Sequence, residues 1–284
     1  MTLLVQITDT HIVQPGELLY GQVDTAAHLR ERIEEINRIR PRPDVVMITG
    51  DLVERAKPDS YALFREIVSG LEMPVYVIPG NHDDPAMMVD CLAETSWYPA
   101  SHLTGQYTVE DYDFRILALN SHFDGSELPD YDGLRLEWLQ TELQRSAKPT
   151  LLAIHHPPMK TGIEFIDMGG EGWFSGLAQL LTEHPQVKLV ICGHCHIDLI
   201  GNISQVPVYM AGSTAHQLVA ARAMDIAPAF DTSSIPPVLH HFLDGNFLSG
   251  SMPWPRDADA RRIDKESGRN WDQLKREMKG TKAD

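Results

Sequence analysis

The sequence is poor in cysteine and in long apolar runs. Only three cysteines, Cys91, Cys192 and Cys195, occur among 284 residues, and an odd number this small cannot form a disulfide framework. No run is long and apolar enough to span a bilayer. The N-terminal MTLLVQITDTH lacks the basic region and the apolar core of a secretory signal. We therefore expect a cytoplasmic protein with no membrane partner.

Positive charge is also scarce. Lys and Arg number 24 against 40 Asp and Glu, so the net charge is -16. A surface of this sign repels long polyanions, which argues against a nucleic-acid polymer or an anionic membrane as the partner. A small anionic substrate remains compatible with this charge if cations lie close to its binding site.

Short apolar strands alternate with amphipathic helices along the first two-thirds of the chain. The main predicted strands are LLVQI (3–7), DVVMIT (44–49), PVYVIP (74–79), TLLAI (150–154) and VKLVIC (187–192). Segments 106–121 and 238–251 are predicted to be hairpins. Alternation combined with hairpins predicts an α/β fold with mixed sheets.

Each of these five strands is followed directly by aspartate, asparagine or histidine. The segments are Thr8-Asp9-Thr10-His11, Gly50-Asp51, Gly80-Asn81-His82-Asp83, His155-His156-Pro157-Pro158 and Gly193-His194-Cys195-His196. In α/β sheets, ligands bind beyond the carboxyl ends of the strands. We therefore expect these side chains to converge along one edge, where the glycines allow tight turns and close approach.

The types of side chain indicate a metal centre. Asp9 and His11 are two positions apart, as are His194 and His196, so each pair points to one side in extended backbone. Carboxylate, amide and imidazole ligands suit Mn, Fe, Co or Zn better than Ca or Mg. There are too many candidates for one tetrahedral ion. Two ions that share a carboxylate are expected, an arrangement typical of phosphoester hydrolysis.

A different interpretation rests on Cys192 and Cys195, which form a C-x-x-C motif. This motif occurs in thiol-redox proteins and in zinc–thiolate sites, but a structural zinc site normally needs a second such pair, and only Cys91 remains. A metal-binding scaffold without turnover is a further alternative. We expect Cys192 to fill the core and Cys195 to point away from the two histidines beside it.

The ordered set D-x-H, G-D, G-N-H-D, H-H-P-P and G-H-x-H over residues 9–196 resembles the calcineurin-like binuclear metallophosphoesterases. Leu19-Tyr20-Gly21 and the block 212–217 also resemble segments of class III cyclic-nucleotide phosphodiesterases, including the bacterial glycerophosphodiesterase-type members. The resemblance implies a four-layer αββα sandwich of two mixed β-sheets flanked by helices.

The same resemblance implies roles for individual residues. One metal would be held by Asp9, His11, Asp51 and His196, and a second by Asp51, Asn81, His155 and His194, with Asp51 as the bridge. The catalytic residues would be His82 and Asp51, and the substrate-binding residues His82, Asn81 and His216. His156 is expected outside the ligand set, and the sequence leaves the role of Glu54 open.

The resulting hypothesis is a two-metal phosphodiesterase in which a metal-bound hydroxide attacks a small phosphodiester, such as a 3',5'-cyclic nucleotide or a glycerophosphodiester. The alternatives are a phosphomonoesterase, a phosphonate ester hydrolase or a nuclease, and the net charge counts against the last. We expect a catalytic domain over 1–214, a cap with returning hairpin strands over 215–256 that forms a homo-oligomer, and a charged, flexible tail over 257–284.

Overall fold

The computed structural model describes residues 1–100, 104–131, 133–219, 227–251 and 261–280. The contacts between residues divide the chain into two compact units, Met1–Met252 and Pro253–Asp284. The first unit contains the sheets and the candidate site. Residues 261–280, the described part of the second unit, contain two short helices. No helix within the described ranges has the length and apolar character needed to cross a membrane.

The strands in chain order are β1 (Thr2–Ile7), β2 (Val45–Ile48), β3 (Val75–Val77), β4 (Tyr107–Val109), β5 (Arg115–Ala118), β6 (Thr150–Ala153), β7 (Val187–Cys192), β8 (Leu199–Ile203), β9 (Val206–Met210), β10 (Gln217–Val219), β11 (Ala229–Asp231), β12 (Val238–Leu243) and β13 (Asn246–Ser251). The helices are α1 (Thr25–Arg38), α2 (Pro58–Val68), α3 (Pro85–Cys91), α4 (Gly133–Arg145), α5 (Ser175–Glu183), α6 (Ile263–Glu266) and α7 (Trp271–Met278).

Two large mixed sheets form the body of the first unit. One has the order β13-β12-β1-β2-β3, and the other has the order β4-β5-β6-β7-β9-β8. Within the first, β1, β2 and β3 are parallel, and β12 and β13 add antiparallel strands at one side. Within the second, β5, β6, β7 and β9 are parallel. A separate antiparallel ribbon consists of β10 and β11.

The alternation of side chains along β5 shows how the layers pack. Ile116 and Ala118 lie in the core that also contains the first sheet and the buried face of α1. Leu117 lies in a second core that contains Leu139 of α4 and Leu181 of α5. The second sheet therefore contacts the first sheet through one face and helices through the other. The predicted αββα sandwich is confirmed.

Local signals in the sequence place several of these elements. The Asp24 side chain accepts a hydrogen bond from the Ala27 N–H and caps α1, and Asp84 caps α3 ahead of Pro85. Asp244 and Gly245 have φ values of 49° and 82°, as the two-residue turn between β12 and β13 requires. Strand β8 was not predicted, because Gly201 and Asn202, two residue types depleted in strands, interrupt its short apolar sequence LIGNI.

A buried ion pair ties α4 to the second sheet. Arg115 of β5 is 1% exposed, and its guanidinium donates to the Glu142 side chain at 2.8 Å and to the Glu142 carbonyl at 2.7 Å. A further bond of 2.6 Å joins Arg115 Nε to Glu110. Glu142 also pairs with Arg145, whose side chain is 68% exposed.

We expect Arg115→Ala to lower the free energy of unfolding by about 3–5 kcal/mol, because it leaves the Glu142 carboxylate buried without its main partner. The matched control Arg145→Ala removes a solvent-screened partner of the same carboxylate and should change stability by about 1 kcal/mol or less. Urea unfolding followed by circular dichroism measures both. Equal losses of unfolding free energy in the two variants would contradict the larger contribution of the buried Arg115 to stability.

Candidate metal centre

The carboxyl ends of five strands from both sheets meet at one place. Asp9 and His11 follow β1, Asp51 follows β2, and Asn81 and His82 follow β3. His155 follows β6, and His194 and His196 follow β7. The contacts described below join these side chains to one another. The predicted convergence is correct. The side chains come from two facing sheets, however, whereas convergence along one edge was expected.

A first group of side chains surrounds the space between Asp9 and Asp51. One nitrogen or oxygen atom from each of Asp9, His11, Asp51 and His196 lies within 4.8 Å of the others. His196 Nε2 is 3.2 Å from Asp9 Oδ1, and His11 Nε2 is 3.6 Å from Asp51 Oδ2. All four residues are buried. This His/Asp cluster has the composition and spacing to hold a metal ion.

A second group also contacts Asp51. His155 Nε2 is 3.3 Å from Asp51 Oδ2. The Asn81 side-chain oxygen is 3.0 Å from both His155 Nε2 and His194 Nδ1. Asp51 therefore contacts members of both groups, and its Oδ1 also accepts a hydrogen bond of 2.9 Å from the His82 backbone N–H.

Left-handed backbone aims these side chains at one another. The φ values of Asp9, His11, Asp51, His194 and His196 lie between 42° and 67°. Such values are uncommon outside glycine and cluster at functional sites. The sequence reasoning assumed extended backbone, in which residues i and i+2 share a side. That reason was wrong, because the chain has already left its strands and turns back at these positions.

Two glycines are required by close approach. A Cβ atom on Gly80 would lie 2.1 Å from Asp51 Oδ1, and one on Gly193 would lie 2.0 Å from Thr8 Oγ1. Either distance is far inside van der Waals contact, so a side chain would push the Asp51 carboxylate or the β1 loop out of place. The prediction that glycine permits crowding here is confirmed.

Outer hydrogen bonds fix three of the imidazole rings. His155 Nδ1 donates to the Thr49 carbonyl at 2.8 Å, and His196 Nδ1 donates to the His216 carbonyl at 3.0 Å. His11 Nδ1 donates to the Glu54 carboxylate at 2.8 Å. Each of these rings therefore presents Nε2 to the centre, as histidine ligands of metals commonly do.

Burial and charge act against each other throughout the cluster. Burial favours the neutral acid of Asp9, but His196 and His155 together outweigh it and lower the pKa to about 2. Burial lowers the pKa of His155, but the Asp51 and Asp9 carboxylates and the hydrogen bond to Thr49 together outweigh it and raise the pKa to about 9. Burial, reinforced by the charge of His155, lowers the pKa of His194 to about 3. The cluster thus offers ionised carboxylates beside both charged and neutral imidazoles.

His82 lies beside these groups without belonging to either, and its ring centroid is 4.8 Å from that of His11. Its Nδ1 donates to the Glu54 carbonyl at 2.9 Å, and the side chain lines a cleft beside the centre. Glu127 approaches His82 Nε2 to 3.7 Å and also hydrogen-bonds to the Asn81 side chain. The sequence analysis missed Glu127, because it lies in a loop between β5 and α4 with no recognisable motif.

The remaining predicted residues lie at the margin of the centre. His156 uses both ring nitrogens elsewhere, with Nδ1 2.8 Å from Ser121 Oγ and Nε2 3.3 Å from the Glu127 carbonyl. The His216 ring centroid is 4.4 Å from that of His196. Cys192 and Cys195 are buried and free, and among the described residues no potential metal cluster includes a cysteine.

Asp83 braces the loops that carry Asp51 and His82. Its buried carboxylate accepts hydrogen bonds from the backbone N–H groups of Leu52 at 3.0 Å and Gly80 at 2.9 Å. The Tyr61 hydroxyl donates to the same carboxylate at 3.1 Å. One side chain therefore ties the end of β2 to the end of β3.

Comparison with known proteins agrees with this geometry. The family model described as calcineurin-like phosphoesterase matches residues 2–198. A protein of Arcobacter nitrofigilis named probable glycerophosphodiester phosphodiesterase GpdQ is 35% identical over 250 residues, which cover 87% of this chain and 91% of that protein. The 3',5'-cyclic adenosine monophosphate phosphodiesterase CpdA of Escherichia coli is 31% identical over 69% of this chain and 70% of its own length.

A solved structure shares the fold. The dimetal phosphatase from Danio rerio superposes with a TM-score of 0.64 and covers 87% of this chain and 98% of its own, at 12% sequence identity. The match of the family model over most of the chain, together with relatives above 30% identity, accounts for both the sandwich and the cluster at its strand ends. The chain belongs to the calcineurin-like phosphoesterase family.

Proposed function

We propose that this protein is a metal-dependent phosphodiesterase that hydrolyses small phosphodiesters, either 3',5'-cyclic nucleotides or glycerophosphodiesters. The observation that carries the proposal is the position of Asp51, whose carboxylate contacts both groups of candidate ligands. A shared carboxylate between two ligand groups is typical of two-metal phosphoester hydrolysis. The names of the relatives GpdQ and CpdA favour diesters over monoesters or nucleic acids.

Two ions fit the two groups of side chains that contact Asp51. We assign one ion to Asp9, His11, Asp51 and His196, and the other to Asp51, Asn81, His155 and His194. The donors are carboxylate, amide and imidazole atoms, which suit Mn, Fe, Co or Zn. His156 is left out of the set because both of its ring nitrogens contact atoms outside the set, Ser121 Oγ and the Glu127 carbonyl, although one of them lies within 4.8 Å of ring nitrogens of His155 and His194.

Side chains around the two proposed ions hold the ligands in position and supply a proton. When bound, divalent ions polarise phosphoryl oxygens and make water acidic enough to attack near neutral pH. His82 is held through Nδ1 by the Glu54 carbonyl, so Nε2 is the atom that passes a proton to the departing alkoxide. The Glu54 carboxylate accepts a hydrogen bond from His11. Glu54 therefore links His82 to His11, a proposed metal ligand.

Three further features are part of the proposal. The protein works in the cytoplasm, which the free state of its three cysteines supports. Residues 215–256 form a homo-oligomer interface, apart from the returning hairpin β12–β13, which belongs to the first sheet, and residues 1–214 form the catalytic domain that this hairpin completes. Light scattering of the full chain after size-exclusion chromatography tests the oligomeric state, and a monomer at micromolar concentration would contradict it.

A substrate panel tests the function itself. We expect Mn²⁺- or Co²⁺-loaded protein to hydrolyse bis(p-nitrophenyl) phosphate and at least one of cyclic AMP and glycerophosphoethanolamine, with p-nitrophenyl phosphate a poor substrate. Release of nitrophenol, nucleotide or glycerol 3-phosphate is measured at equal enzyme concentration. Hydrolysis confined to the monoester would contradict the phosphodiesterase assignment.

Removal of the shared carboxylate should affect both ions. We expect Asp51→Asn to lower bound Mn²⁺ from two ions per chain to one or none, and to abolish turnover of the aryl diester. Inductively coupled plasma mass spectrometry after equilibrium dialysis measures the metal. Asp90→Asn changes an exposed aspartate of α3 and serves as the matched control. Two bound ions in folded Asp51→Asn would remove the bridging role.

His82 should matter for turnover and not for metal content. We expect His82→Ala to lower kcat by about 10²–10⁴-fold, the range for a group that transfers a proton in the transition state, while two ions remain bound. Steady-state kinetics and metal analysis on the same preparation separate these effects. Loss of metal from the variant would instead make His82 a ligand.

Glu54 should tune metal affinity through His11. We expect Glu54→Ala to weaken Mn²⁺ binding by about 10–100-fold, as loss of a hydrogen bond to a ligating histidine commonly does. Glu54→Gln retains an acceptor for His11 Nδ1 and should recover most of this affinity. Calorimetric titration with Mn²⁺ measures both. Unchanged affinity in Glu54→Ala would contradict the positioning role.

A further inference from the structure

A cleft of about 530 Å³ opens beside the candidate metal centre. Its inner end contains polar side chains, including those of Asp51, Asn81 and His194. Its outer part is mainly apolar and is lined by Tyr20, Leu128, Pro129, Phe165, Met168 and Phe230, beside the Glu127 carboxylate. No lysine or arginine occurs in the lining that the structure describes. The polar end can bind a phosphate ester, so the apolar part faces the group esterified to it.

Three aromatic rings, those of Tyr20, His216 and Phe230, contact one another and line this cleft next to the metal centre; the exposed pair is called the Tyr20–Phe230 wall. The Tyr20 and Phe230 ring centroids are 4.9 Å apart, and each is 5.6 Å from the His216 ring. The His216 ring in turn contacts His196, a proposed ligand, at 4.4 Å. Tyr20 is 54% and Phe230 is 36% exposed, so both rings have faces available to a bound molecule.

The backbone holds this wall in place. Tyr20 has a φ of 52°, a conformation that a bulky residue rarely adopts and that marks strained, functional positions. Paired hydrogen bonds between Leu19 and Val23, at 2.9 and 3.0 Å, close the turn that presents the ring. In the β10–β11 ribbon, Phe230 lies opposite Leu218. The Leu218 N–H donates to the His196 carbonyl at 3.1 Å.

We propose that the Tyr20–Phe230 wall selects phosphodiesters in which one ester group carries a flat aromatic ring. The inference rests on the proposed phosphodiesterase function and adds the substrate class. A second phosphate finds no cation in the described lining of the cleft. A glycerol group would leave its hydroxyls against apolar rings, where they lose hydrogen bonds to water. A ring instead gains stacking in addition to burial of its apolar area.

Two phosphinate monoanions test this inference without turnover. The anion benzyl(methyl)phosphinate, with both carbon groups bonded directly to phosphorus, carries an aromatic ring, and (cyclohexylmethyl)(methyl)phosphinate carries an apolar group of similar size without π faces. Neither contains an ester bond, so calorimetric binding to the Mn²⁺-loaded protein is independent of catalysis. Loss of diester hydrolysis would therefore count against the proposed function alone, whereas the ratio of the two affinities reports on the wall.

We expect the wild-type protein to bind the benzyl compound about two- to tenfold more tightly than the cyclohexylmethyl compound, the range for one aromatic contact. Phe230→Leu and Tyr20→Leu should abolish this preference, and Tyr20→Phe should retain it. Phe123→Leu alters a 48% exposed phenylalanine outside the lining of the cleft and is the matched control. Equal affinities in the wild type, or a preference unchanged in Phe230→Leu and Tyr20→Leu, would overturn the inference.

Displacement of the bound benzyl compound identifies the source of the ring. Displacement by adenosine but not by ribose supports a nucleobase as the natural group. Failure of adenosine to displace it, with the benzyl preference intact, supports a smaller aryl ester. Displacement by ribose as effectively as by adenosine would overturn recognition of a ring.

Discussion

Two carboxylates, Asp9 and Asp51, are almost completely buried, and an oxygen of each lies within 4.8 Å of the other. Like charges this close in a weakly polar interior repel strongly unless positive charge lies beside them. The surrounding structure supplies imidazoles, and the Asp51 and Asp9 carboxylates, with the hydrogen bond to Thr49, raise the pKa of buried His155 to about 9. A pair of divalent ions would supply the positive charge that these two carboxylates need. The other side chains of the site surround this point.

The two sheets make this arrangement rigid. Backbone hydrogen bonds of 3.0 Å join the Asp9 N–H to the Gly50 carbonyl and the His11 N–H to the Asp51 carbonyl, which fixes the loops after β1 and β2 together. An equal bond joins Gly193 to His155 in the second sheet. Thr8 Oγ1 donates to Asp9 at 2.6 Å. Because these hydrogen bonds fix the segments that follow the strands, the side chains on them keep their geometry. A preorganised site requires such fixed geometry.

The sequence predicted the fold class and the residues that converge, because apolar strands ending in Asp, Asn or His leave a clear pattern. It did not show that β1 and β7 belong to different sheets, since the hydrophobic period of a strand says nothing about its partner. The left-handed backbone at His194 and His196 was also missed, because such backbone is uncommon outside glycine. Glu127 lies in a loop and Phe230 in the short strand β11, and both enter the site only through tertiary packing.

The central claim is that Asp51 is shared by two metal ions, and diffraction from crystals grown with Mn²⁺ tests it most directly. Anomalous difference maps collected at the manganese edge should show two peaks that both contact the Asp51 carboxylate, one beside His11 and His196 and the other beside His155 and His194. A single peak would contradict the account, as would a peak held by the His155, His156 and His194 imidazoles without Asp51.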